Sequence, residues 1–383
     1  MAADLLGWVR LLAEQVGPRR PTSGAEREAA ELVRDGLARR GLDAELEPFQ
    51  GYSTFAAPFG IILALAVAPA LLSRRRRLAR SALAIASAAG LTTEGGLIRT
   101  PLSDLLSRRP SQNLVAAVEP WGERRRTVCL MCHLDTSRSG LMFDPRLVKY
   151  LNVWLLAQSA ACMVQATEPL LGRFALGRRL IGAARTLLAA GLGALIEREL
   201  RGEDVPGASD NASGVAVVSE LGLELAASRP EHTRVVVLMT GCEEAGLLGA
   251  QAFLRSRDTS GWLFLNVDNV GGPATLRYTL REGLATKWDC DPALVGIAAG
   301  IEADGELGLA ASDGPIGLTY DVTPVLAGGG RGITLVAGDD GVIPNYHWPT
   351  DTPENLDPDS LVRTLEVTRR MVAAIDAGEA DPA

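Results

Sequence analysis

Apolar and polar positions along this chain fall into short, separate runs. Asp43 to Phe49 alternates with period two, as a strand with one covered face does. The runs SQNLVAAVEP, TVCLMCHLD, TRVVVLMTG, GWLFLNVDNVG and GITLVAGD are short, largely β-branched or apolar, and bounded by turn formers, which predicts five further strands. GVAVVSELGLELAAS and the stretch from Pro358 to Ala377 have a helical period instead. Ser23-Gly24-Ala25-Glu26 has the form of a capping box, and the helix it opens stops at Gly41. Strands alternating with helices predict an α/β fold: a central mixed, mostly parallel sheet with helices on both faces.

Two segments break this pattern. From Phe55 to Leu72 the chain carries no charge, an arginine cluster occupies Arg74 to Arg77, and a weaker apolar stretch runs from Ser81 to Leu91. The shape recurs: Leu151 to Leu171 is largely apolar, Arg173, Arg178 and Arg179 follow, and Leu180 to Ile196 is apolar again. The first run reaches the lower end of what spans a bilayer; the others are shorter or carry Glu168 or Arg185. The expectation is two apolar helical-hairpin insertions, 52–110 and 141–205, in a catalytic domain formed by 1–51, 111–140 and 206–383. The hairpins are expected to form a lid, a subunit interface or a membrane anchor. With the arginines facing the cytoplasm, an anchor would place the catalytic part outside. Membrane association is therefore one expectation, and a cytoplasmic protein the other. The first residues, MAADLLGWVRLLAEQVG, lack the charged and apolar regions of a cleavable signal.

A net charge of -8, with no long basic face, argues against a nucleic-acid partner. Five cysteines in a long chain do not suggest a disulfide framework, and the Cys129-x-x-Cys132 pair lies in a strand-like run with no second pair, so both are expected in the core.

The candidate chemistry lies at the ends of the predicted strands. His133 and Asp135 follow TVCLMC, Glu243 and Glu244 follow VVVLMTG, and Asp268 ends LFLNV. Asp210 lies where a Gly-rich turn enters a helix, and His347 lies in the turn-rich PNYHWPTDTPENLD. His232 has only the edge of a strand around it and reads as structural. In an open α/β sheet, groups at the carboxyl ends of strands share a crevice. Singly these residues read as a solvated turn, a helix cap or a loop acceptor. Together they are the inventory of a carboxylate and imidazole metal site with one carboxylate to spare.

The stretches HLDTSRSG, SDNASGVAVVSELG, TGCEEAGLLGAQAF, NVDNVG and YHWPTDTPENLD resemble, in order, those of the di-zinc aminopeptidases, a family that includes bacterial leucyl-type aminopeptidases and the yeast vacuolar aminopeptidase. The resemblance implies the zinc exopeptidase fold and two Zn2+ ions per chain. It implies that Asp210 bridges the ions, that His133 and Asp268 complete one shell, and that Glu244 and His347 complete the other. Glu243 would be the general base, and Asp135 would accept the second imidazole N–H of His133. Asp351 and Thr352 would shape the turn carrying His347, and Tyr320 would line the pocket. The implied substrate is a peptide with a free N-terminus. This chain departs from the family in its two insertions and in Trp348, where many members have a small residue. A related zinc amidohydrolase (a deacylase or a glutaminyl cyclase-like protein) and a catalytically silent membrane or receptor module are the alternative readings.

Overall fold

Six strands form where the alternation places them: β1 (Ala44–Gly51), β2 (Arg109–Val118), β3 (Arg126–His133), β4 (Thr233–Thr240), β5 (Leu263–Val267) and, after two short ones, β8 (Arg331–Ala337). The short pair, β6 (Leu276–Thr279) and β7 (Ala310–Ser312), has too few residues to show a period, and only the sheet edge defines them. The computed structural model describes residues 2–73, 75–96, 101–284, 286–312 and 319–381; Arg74 of the arginine cluster lies outside them. The eight strands make one sheet in the order β1-β2-β4-β3-β5-β8-β6-β7. Strands β4, β3, β5 and β8 run parallel to one another, while β2 joins β4, β1 joins β2 and β6 joins β8 antiparallel. Every residue of β5 is buried, and all of β3 beyond Arg126. Continuous burial of this kind means that both faces of the sheet centre are covered.

Around the sheet lie α1 (Ala2–Arg10), α2 (Gly24–Arg39), α7 (Gly214–Ala227), α8 (Pro292–Asp304) and α9 (Pro358–Ala377). The Ser23 hydroxyl accepts from the Glu26 amide, as the capping box requires. The Glu26 carboxylate does not close the box on Ser23. It accepts instead from the amides of Thr22 and Cys242 and from the Ser111 hydroxyl, tying three segments together. Helix α8 has no strong period, but Asp291 accepts from the amides of Ala293 and Leu294, and Pro292 occupies the first turn. Cys129 and Cys132 are buried in β3 as free thiols.

Both apolar segments are helical and meet each other. They supply α3 (Ala56–Val67) and α4 (Arg77–Gly95), then α5 (Leu151–Ala166) and α6 (Ala175–Arg201). The four helices share an apolar centre around Ile62, Leu63, Leu91, Cys162 and Leu188, separate from the main core. The two insertions thus form a single bundle. Its outer surface is apolar as well, with Leu71, Leu78, Val153, Leu170 and Leu176 all exposed.

Candidate metal centre

Parallel pairing sets the site. Cys132 lies opposite Met239 and His133 opposite Thr240, and β5 continues the same side, so the residues after β3, β4 and β5 emerge together. His133 closes β3, Glu243 and Glu244 follow β4, and Asp268 follows β5. Three backbone positions beside these groups have positive φ without being glycine: Cys242 at 54°, Asn269 at 55° and His347 at 50°. Such conformations persist where the surroundings hold them, and they concentrate at functional sites.

Asp210 reaches the same point from the loop entering α7. Gly207 turns this loop with φ 65°, where a side chain would meet the Thr136 methyl and the Asp210 carbonyl. The Asn211 amide donates to the Val267 carbonyl at 3.0 Å, fastening the loop to the end of β5. Asp351 accepts from the amides of Ser209 at 2.7 Å and Asp210 at 3.0 Å. Arg19, fully buried, donates to the carbonyls of Leu12, Gly17, Leu134, Pro206 and Gly207, so one guanidinium ties the Asp210 loop to the His133 loop.

The result is two donor clusters sharing one carboxylate. His133 Nε2 lies 3.1 Å from Asp210 Oδ1 and 3.5 Å from Asp268 Oδ1. His347 Nε2 lies 3.2 Å from Asp210 Oδ2 and 3.1 Å from Glu244 Oε1. Within each trio the donor atoms are within 4.8 Å of one another, and all five residues are buried. Asp210 Oδ2 and Glu244 Oε1 are buried and both face the one Nε2 of His347, which can give a proton to only one of them. Buried oxygens of this kind are costly unless a cation or donor satisfies them. Imidazole nitrogens and carboxylate oxygens, each set leaving room for a further ligand, match the donor chemistry of zinc.

The local field is strongly negative. Burial alone would lower the pKa of His133, but the carboxylates of Asp268 and Glu243, with Asp210, raise it well above its usual value. Burial would also lower His347, and Glu244 and Asp210 raise it to about 9. Burial raises Glu243 well above the usual carboxylate range, opposed by His133 and reinforced by Glu244, Asp321 and Asp268. A site that draws protons this strongly also draws divalent cations, which act on the pKa values in the opposite sense.

Asp135 differs in detail from its expected role. The group facing His133 Nδ1 at 3.1 Å is the Asp135 backbone carbonyl, while the carboxylate lies 3.8 Å away. That carboxylate accepts from the amides of Glu243 and Glu244, each at 3.0 Å. It holds the turn carrying both glutamates, and the main chain orients the imidazole. His347 is seated by aromatic packing, with Tyr346 stacked at 3.8 Å and Phe143 edge-on at 4.4 Å between ring centres. Sequence reasoning did not single out Arg19, Phe143, Tyr346 or Asp321. Asp321, which is hydrogen-bonded to the Thr240 hydroxyl, follows the buried Tyr320, whose hydroxyl has no partner among the described residues. Gly317 and Leu318 of the same motif lie outside the described residues. His232 stands apart, with Nδ1 3.1 Å from the Glu123 carbonyl.

Residues 192–372 match the model of peptidase family M28, a stretch that includes Asp210, Glu243, Glu244, Asp268 and His347. Over that stretch the chain is similar to the M28 peptidases. A probable zinc metalloprotease from Leptosphaeria maculans is 42% identical over 71 residues, which is 18% of this chain and 16% of the relative. The chain thus spans a small part of that relative's length. Among solved structures, BSAP, a zinc aminopeptidase from Bacillus subtilis, superposes with a TM-score of 0.58 at 14% identity, covering 98% of this chain and 95% of the other. The aminopeptidase of Aneurinibacillus sp. strain AM-1 gives 0.59 at 14% over 98% and 93%. Porphyromonas gingivalis glutaminyl cyclase gives 0.56 at 15% over 98% of each. At such identities the likeness shows the fold, and the activity of this chain has to be argued from its own site.

Proposed function

We propose that this protein is a zinc-dependent hydrolase with two ions per chain, acting as an aminopeptidase on peptides with a free N-terminus. Asp210 carries the reading, since its two oxygens face different imidazoles and one carboxylate serves both clusters. His133, Asp210 and Asp268 would hold one ion, and Asp210, Glu244 and His347 the other. When bound, zinc supplies Lewis acidity that polarises the scissile carbonyl and lowers the pKa of the attacking water. Glu243 is less buried than its neighbour Glu244 and belongs to neither donor trio. Its carboxylate takes a proton from the attacking water and delivers it to the leaving amine. Asp135 keeps Glu243 in place through the main chain. The M28 match and the shared fold with zinc aminopeptidases support this assignment.

Release of amino acids from unblocked and N-acetylated short peptides, by zinc-loaded and chelated enzyme, tests the proposal. Zinc-dependent release from free N-termini alone is the expected result. Turnover confined to blocked amides would replace it with the deacylase reading, and the fold shared with a glutaminyl cyclase makes that the rival to include.

The amide groups that Asp351 accepts lie in the loop presenting Asp210. Asp351→Ala is therefore expected to weaken zinc binding by about 10–100-fold, the usual cost of losing a residue that orients a metal ligand. Competition with a chromophoric chelator measures this directly. Unchanged affinity would show that the loop holds its shape without Asp351.

We also propose that the helical bundle attaches the protein to a membrane. Helix α6 is long and apolar enough to cross one, with 28% of its apolar window buried. Its 27 residues span about 40 Å against a hydrocarbon core of about 30 Å. The protein is expected to sediment with membranes and to resist an alkaline carbonate wash. Recovery in the detergent-free supernatant would overturn the attachment.

A further inference from the structure

A cavity of about 200 Å3 opens beside the donor clusters, with Glu243, Glu244, Tyr346 and His347 at one end. From there it runs into the inserted bundle rather than along the sheet. Its walls are Phe59 and Leu63 from α3, Leu91 from α4, Trp154 and Leu155 from α5 and Leu195 from α6. Every helix of the bundle contributes, so the two insertions together build a chamber that the sheet and its own helices do not.

The chamber offers little to a polar occupant. Its polar walls are largely tied back into the protein. The Glu94 carboxylate accepts from the Leu102 amide and the Ser103 hydroxyl. Ser159 donates to the Leu155 carbonyl, and Gln158 Nε2 donates to the Leu187 carbonyl. Of these, Gln158 Oε1 is a buried oxygen without a partner among the described residues. A peptide main chain drawn into this space would bury several N–H and C=O groups with almost nothing to satisfy them. A hydrocarbon chain has no such groups and gains from burial. An engineered apolar cavity of about 150 Å3 admits benzene, so a space of this size takes a longer chain.

The chamber is also fastened to the site. Arg198, near the end of α6, lies over the rings of Phe55 and Phe143 and donates to Thr54, Glu199 and Ser137. Phe143 in turn packs edge-on against His347. Bundle and donor cluster are thereby held in one arrangement.

We propose that the chamber receives a linear alkyl chain carried on the acyl half of the scissile amide, so that amides bearing such a chain are preferred over peptides whose first residue is small or polar. This rests on the hydrolase reading above. The reaction is ordinary amide hydrolysis: the C–N bond breaks, a C–O bond forms from water, and the proton that Glu243 takes goes to the departing amine. The products are an alkyl-bearing carboxylate and an amine. Two kinds of molecule share this chemistry, amino-acid amides with a long aliphatic side chain and fatty acyl amides, and the amino group distinguishes them.

The test uses the zinc-loaded full-length protein and two substrate series, 2-aminoalkanoic acid p-nitroanilides and N-acyl glycines, each lengthened one methylene at a time. In one series kcat/KM is expected to rise about fourfold per methylene and then level off when the chamber is full. Ala194, on the chamber wall, is replaced by phenylalanine in a second protein. In Ala194→Phe the plateau is expected to come several carbons earlier, with zinc content showing that the protein is folded. Binding of cis-parinaric acid, followed by fluorescence at one molecule per chain and weakened in Ala194→Phe, reads the chamber without catalysis. Turnover independent of chain length in both series, or probe binding unaffected by Ala194→Phe, would overturn the chamber proposal and leave the hydrolase standing. No turnover on any amide, with stoichiometric probe binding that Ala194→Phe weakens, would overturn the hydrolase and leave a lipid-binding chamber.

Discussion

Glu243→Gln is expected to lower kcat by about 10²–10⁴-fold while leaving zinc content and KM close to those of the wild type, because general acid–base catalysis contributes an effect of that size. Glutamine keeps the shape of the side chain and cannot take up a proton. The main-chain bond from the Glu243 amide to Asp135 survives the change, so the turn carrying Glu244 stays in place. Neither donor trio includes Glu243, so metal binding need not change. Steady-state kinetics with metal analysis of the same preparation measures both halves. A variant with normal zinc and undiminished kcat would remove Glu243 as the base. A variant that had lost zinc would make it a ligand instead.

Asp210→Ala is expected to abolish activity and to lower bound zinc from two ions per chain to less than one. The reason lies in the sharing: each cluster retains only two protein donors once the bridging carboxylate is gone, and each faces a surplus of unscreened neighbours. The protein should still fold. The bonds holding the loop come from main-chain amides to Asp351 and from Arg19, not from the Asp210 side chain. Zinc content after dialysis, with circular dichroism as a control on folding, measures the effect. Retention of one tightly held ion would show that the two clusters bind independently and that Asp210 does not bridge.

The prediction at Asp351 complements these, because it alters the same loop without removing a donor. Together the three variants separate proton transfer, metal holding and loop positioning, which act through different atoms of one site.

Local pattern was enough to identify the catalytic frame. Period-two alternation and buried apolar runs marked β1 to β5 and β8, since each is long enough to show its period, and helices α7 and α9 showed theirs. Three residues of the two donor trios were also legible one by one, because each stands at the end of such a run: His133 after TVCLMC, Asp268 after LFLNV, Glu244 after VVVLMTG and a short turn; Asp210 and His347 stood out only in turn-rich loops. What no local pattern contains is convergence. Parallel pairing of β3 with β4 and β5 brings those strand ends to one edge, and the loop held by Arg19 and Asp351 delivers Asp210 between the two histidines. The role of Asp135 was decided the same way, since only the folded turn sets its carboxylate beneath two amides and its carbonyl against the imidazole. The apolar insertions show the division most clearly. Their sequence determined that they would be helical and would need partners for their apolar faces. Tertiary structure decided that they would choose each other, because two hairpins of this length can bury their inner faces by joining into one bundle, and that the bundle would enclose a chamber opening on Glu243 and His347.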